Sequence, residues 1–487
     1  MKKYFRNRLA EAYEIIKSIS IISSIKPPVK KKNIKLFSIS AIAALIVFFL
    51  MKDQIPREAA LMLFIFIFAS LLWVTEALPL FATSLIIIAL EVVLIANPGE
   101  WKGLGFENNT QIPFAEFFSP LADPIIFLFL GGFLLAKASV KEGVDISFAG
   151  KVMKIFGGKP LFILLGLLTI TATFSMWMSN TATTAMMITI VSPIIKQIPE
   201  ERKFHKSLYL AIPIGANIGG MGTPIASPPN AVAIGFLKSQ GFSISFIDWM
   251  IIALPIVIVL GLVAWLILWN INRPKSKELK ILPIKNEIDG RGLYVVSIFS
   301  LTIILWLSEP THGLPAAVIA LLPAIAFTAT GLLGRKDFNS LEWNILILIA
   351  GGIALGKGMT ISGLDDIIID LIPKESIYLF GIFILFSILL STFMSNTAAA
   401  NLVIPIGVSL AASLGSEISE LQMGMGIALA ASLAMALPVS TPPNTIAYAS
   451  GKLKTKDFIY IGSTMSFIGF VLITIFFPKI IQLLGFN

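Results

Sequence analysis

Residues 175–187 read SMWMSNTATTAMM, and residues 391–403 read STFMSNTAAANLV. In each, a Ser-Asn-Thr triplet (Ser179-Asn180-Thr181 and Ser395-Asn396-Thr397) sits at the centre of a long apolar run. Hydrocarbon offers such groups no partner, so the segment must be shielded by protein or line a polar cavity. A hairpin that enters and leaves on one face of a membrane gives it that place, and the runs 160–195 and 376–414 suit one each. Ser and Asn also favour a helix start, where their side chains accept from free N–H groups. The helix after each tip then aims its positive end at whatever the tip holds. The Thr hydroxyls add donors, and neither tip contains Lys or Arg, so the pattern describes an anion site without a salt bridge.

The likeness extends outward from the tips. Gly131-Gly132 in FLFLGGFLLAKA recurs as Gly351-Gly352 in ILIAGGIALGKG, and PIASPPNAVA from Pro224 recurs as PVSTPPNTIA from Pro438. Three ordered matches at offsets of 220, 216 and 214 are a duplication rather than a coincidence of tripeptides. Each Pro-Pro lies in a long apolar stretch, where proline interrupts the helix and leaves carbonyls unpaired. Such carbonyls, with Ser or Asn oxygens, suit a hard cation such as sodium. Ser227 and Thr441 precede the prolines and are placed to reach the anion. Asn230 and Asn444 follow them and are placed to brace the broken backbone. The Gly-Gly pairs read as close-packing positions.

With 56% hydrophobic and 13% charged residues and a mean hydropathy of +0.88, the 487-residue chain is an integral membrane protein. It has no cysteine, and its two histidines, His205 and His312, fall in polar connections. That excludes thiolate metal sites, leaves little for histidine ones, and leaves no base beside either tip serine, so the chain reads as no enzyme. Apolar stretches near 36–51, 59–76, 77–96, 124–136, 207–236, 249–270, 293–307, 314–333, 343–356, 422–451 and 458–484 are candidate crossings. Together they predict an all-α membrane fold of about 11 transmembrane helices plus two re-entrant hairpins.

Threading these alternately places segments 1–35, 137–160, 196–206, 271–292, 334–343 and 452–457 on one side, with thirty Lys and Arg against twelve acids. The opposite segments carry six against fourteen. Basic residues stay in the cytoplasm, so the N-terminus is expected inside and the C-terminus outside a bacterial-type inner membrane. The net charge of +9 is therefore topological, and a nucleic-acid partner is excluded. Five crossings then separate the Gly-Gly helices, which turns the second copy upside down: an inverted repeat. The first 25 residues suit either a helix on the inner leaflet or a disordered basic tail. Of the acids, only Glu76 and Glu91 fall inside predicted spans.

These residues resemble the divalent anion–sodium symporters, which carry dicarboxylates, citrate or sulfate. The resemblance covers nearly all the chain after residue 36. It rests on LLWVTEALPLFATS (71–84), both tips, GTPIASPPN (222–230) and SLAMALPVSTPPNTIAY (432–448); Met435, Ala447 and Ala226 depart from the family pattern. It implies a homodimeric elevator, with substrate held by Asn180, Thr181, Asn396 and Thr397 and lined by Ser227, Pro228, Thr441 and Pro442. One sodium site would use Ser175, Ser179, Asn180 and the backbone at Ala226, and the other Ser391, Met394, Asn396 and the backbone at Ser440. Scaffold helices are expected in 36–136 and 271–356, and transport repeats in 137–270 and 357–487. The expected activity is sodium-coupled symport of C4 dicarboxylates (succinate, malate, fumarate). The alternatives are a sodium-independent exchanger, or a sulfate or citrate symporter.

Overall fold

The computed structural model describes residues 31–98, 112–279, 287–370, 378–414 and 418–486. Among them every regular element is helical, as expected where backbone groups must be satisfied within each membrane segment. The segment 1–25 lies outside the described residues.

Helices α1 (Lys31–Met51), α2 (Arg57–Thr75) and α3 (Leu80–Leu90) come first. Pro56 and Pro79 stand just ahead of α2 and α3, where a missing N–H is harmless. α3 runs into a π-helical turn, Glu91–Ala96, whose Glu91 is fully buried against Gly358. The first Gly-Gly helix is α4 (Pro124–Lys141), followed by α5 (Val144–Phe156). The first hairpin is α6 (Pro160–Ser175) and α7 (Asn180–Lys196), and the first interrupted helix is α8 (Arg202–Gly219) and α9 (Pro228–Ser239). A link follows through α10 (Phe246–Ile271), α11 (Gly290–Leu307) and α12 (Ala316–Ala329) to the second Gly-Gly helix, α13 (Trp343–Ser362). The second hairpin is α14 (Leu379–Phe393) and α15 (Asn396–Leu414), the second interrupted helix α16 (Glu420–Ser432) and α17 (Pro442–Ala449), and α18 (Thr455–Leu483) closes the chain.

Among the described residues, eight helices are long and apolar enough to cross a membrane. Seven coincide with expected crossings, and the eighth, Asn396–Ser413, is an arm of the second hairpin. Two further expected crossings are the shorter apolar helices Leu80–Ala96 and Ala316–Ala329, and the last two are the interrupted pairs.

The two copies interlock. α9 packs on α15 and α16, whereas α17 packs on α7 and α8, so each half-helix crosses to the other copy's hairpin. The Gly-Gly helices fit by close approach: a Cβ on Gly131 would overlap Ala320, and one on Gly351 would overlap Ser84.

Candidate functional site: a cavity between two tips

Both tips are built alike. Ser179 is extended (φ −61°, ψ 141°), and its hydroxyl accepts from the Ala182 N–H at 3.3 Å; Ser395 accepts from Ala398 at 3.1 Å. Helices α7 and α15 therefore begin at Asn180 and Asn396, with their free N–H groups at the tip. Ser175 Oγ lies 2.6 Å from Asn180 Oδ1 and 2.8 Å from the Ala216 carbonyl. Ser391 Oγ lies 2.8 Å from Asn396 Oδ1 and 2.7 Å from the Ala431 carbonyl. A serine hydroxyl has one proton, so each cluster of three oxygens has lone pairs to spare. That donor-poor oxygen set fits a hard cation.

The prolines act as helix starters rather than interior kinks. Ser227 (φ −147°, ψ 140°) and Thr441 (φ −137°, ψ 149°) are extended, as a residue before proline prefers. Pro228 and Pro442 then occupy the first helical position, where no N–H is needed. The freed carbonyls are partly taken. Asn230 Nδ2 donates to Gly220 and Thr223 at 3.0 and 2.8 Å, and Asn444 Nδ2 donates to Met435 and Leu437 at 2.9 Å each. The two asparagines thus brace the breaks, and they reduce the carbonyls left for a cation.

Tips and breaks close on one cavity of about 890 Å³. It is lined by Asn180, Thr181, Ser227, Pro228, Asn396, Thr397, Thr441 and Pro442, and also by Ser179, Ala226, Met394 and Ser440. Ser175 and Ser391 lie behind the tips, fully buried. No Lys, Arg or His is among the lining residues, whereas two carboxylates, Glu76 and Glu342, are. Glu76 ends α2 in the left-handed conformation at φ 48°.

Two lining residues escaped the sequence reading. Asn217, fully buried in α8, donates through Nδ2 to Thr441 Oγ1 and Asn444 Oδ1, both at 3.2 Å. It is the strut between the first interrupted helix and the second. Its signal was a lone amide two residues before Gly219-Gly220. Glu342 falls by sequence in the connection 334–343, yet its Oε1 accepts from Ser179 Oγ at 3.2 Å.

A helical membrane protein whose hairpin tips and interrupted helices meet around one polar cavity has the build of a secondary transporter. The chain belongs to the sodium:sulfate symporter family, whose transmembrane-region model matches residues 30–485. It is 31% identical over 470 residues to the sodium-dependent dicarboxylate transporter SdcS of Staphylococcus saprophyticus, covering 87% of this chain and 86% of that one. It is 30% identical over 406 residues to the inorganic phosphate transporter PHO87 of Saccharomyces cerevisiae, covering 81% of this chain but only 43% of that longer relative. The crystal structure of the YdaH transporter from Alcanivorax borkumensis shares the fold, with a TM-score of 0.57 at 12% identity over 85% of this chain and 98% of that one.

Proposed function

We propose that this protein is a sodium-coupled symporter of C4 dicarboxylates such as succinate, malate and fumarate. One observation carries the reading: two helix starts and two Thr hydroxyls face a cavity with no basic side chain among its lining residues, backed by two matching oxygen clusters. Asn180 with Thr181 would hold one carboxylate and Asn396 with Thr397 the other, while Ser227, Pro228, Thr441 and Pro442 wall the site. Sodium would be held by Ser175, Ser179, Asn180 and the Ala226 backbone, and by Ser391, Met394, Asn396 and the Ser440 backbone. A bound cation supplies the positive charge that the lining lacks. In this reading the copies form an inverted repeat in an inner membrane with the N-terminus inside, and segments 137–270 and 357–487 move against 36–136 and 271–356 within a homodimer.

The test is uptake of labelled succinate by proteoliposomes with and without a sodium gradient. Equal uptake in both, dependent on internal dicarboxylate, assigns exchange instead. Failure of succinate to compete with sulfate or citrate assigns one of those anions.

A further inference from the structure

The two copies use the acid ahead of the Gly-Gly helix differently. Each Gly-Gly helix is preceded by an acid, Asp123 ahead of α4 and Glu342 ahead of α13. Asp123 uses its carboxylate on its own helix, where Oδ1 accepts from the Ile125 N–H at 2.8 Å. Glu342 makes no such cap. Its side chain reaches the first tip instead, where Oε1 accepts from Ser179 Oγ. Its Oε2 is shut off from solvent and has no hydrogen-bond partner among the described residues.

A carboxylate oxygen left dry and without a donor is costly. The cost is sharper here because the nearby lining holds no basic side chain. Helix-start N–H groups at the tip would relieve it, but Oε2 takes none of them. A hydroxyl that already accepts from Ala182 and donates to Oε1 has a lone pair left for a cation. The next residue of the same tip, Asn180, belongs to the donor-poor cluster with Ser175 and the Ala216 carbonyl. The second tip has the same cluster and no carboxylate on its Ser395 among the described residues.

We propose that Glu342 is a ligand of the alkali cation at the first tip, so that this site holds its ion with a full negative charge and the second with neutral oxygens alone. The inference rests on the sodium-coupled reading above. It makes the two ions unequal: the first tip fills at lower sodium than the second, and it fills before the anion arrives.

The experiment is the thermal stability of purified protein in detergent, titrated with sodium against choline at constant ionic strength and without anion. Wild type is expected to gain stability with sodium. Glu342→Gln, which keeps the shape and removes the charge, is expected to raise the sodium midpoint at least tenfold; Glu342→Asp is expected to recover most of it. A wild type that ignores sodium overturns both the coupled reading and this inference. A wild-type response matched by Glu342→Gln overturns the inference alone. So does a Glu342→Gln variant with an unchanged sodium midpoint and a lower succinate midpoint, because Glu342 would then be a tethered competitor of the anion.

Discussion

Thr397 is 7% exposed and faces the cavity, and its hydroxyl has no partner among the described residues. A hydroxyl kept free at the edge of the proposed anion site is a donor in waiting. A hydrogen bond to a charged group is worth about 1.5–3 kcal/mol, so Thr397→Val, at nearly constant volume, is expected to weaken dicarboxylate binding roughly tenfold or more. Binding to purified protein checks it, and unchanged affinity would remove Thr397 from the site. Asn180 serves two sides at once, its Oδ1 in the oxygen cluster and its backbone at the start of α7. Asn180→Ala is therefore expected to impair anion and sodium dependence together. Asn217 has a different task. Asn444 Nδ2 is fixed by two carbonyls, so Asn444 Oδ1 must accept, and Asn217 must present its amide N–H. Asn217→Leu leaves Asn444 Oδ1 buried without a donor, while Thr441 Oγ1 still accepts from the Asn444 N–H. It is expected to cost about 1–3 kcal/mol of stability, read as a lower melting temperature even without ligand.

At the scale of elements, the tips and breaks are held by contacts that tolerate no added bulk. A Cβ on Gly220 would overlap the amide of Asn180. That amide is pinned by Ser175 at 2.6 Å, so it cannot swing aside without breaking the cluster. Gly220→Ala is expected to lower anion and sodium affinity together with little loss of expression; intact affinities would show that the tip can shift. Trp177, beside the first tip, lies parallel to Phe246 and Trp306 at centroid distances of 5.9 and 6.4 Å. It ties the tip to α10 and α11. Tips, breaks and the bracing asparagines were legible because short polar residues and Pro-Pro in apolar text have few placements a membrane allows. Asn217 and Glu342 were not: their roles depend on partners 224 and 163 residues away, which no local pattern reveals. The prolines were legible as breaks, but not as the first residues of new half-helices.

At the scale of the molecule, the interlock of α9 with α15 and α17 with α7 joins the two copies around one site. Hydropathy and repeats foretold the helical membrane fold, including the two shorter apolar helices Leu80–Ala96 and Ala316–Ala329, which fall below the usual crossing length. The cavity adds a charge problem that the whole account must meet. A dianion is to bind where the lining carries two carboxylates and no basic side chain, so counter-ions must enter with it. The most direct measurement is labelled succinate uptake by proteoliposomes containing the purified protein, compared under an inward sodium gradient and under equal sodium on both sides. The account predicts accumulation above the external concentration with the gradient alone, abolished by a sodium ionophore. Identical uptake in the two conditions would contradict it.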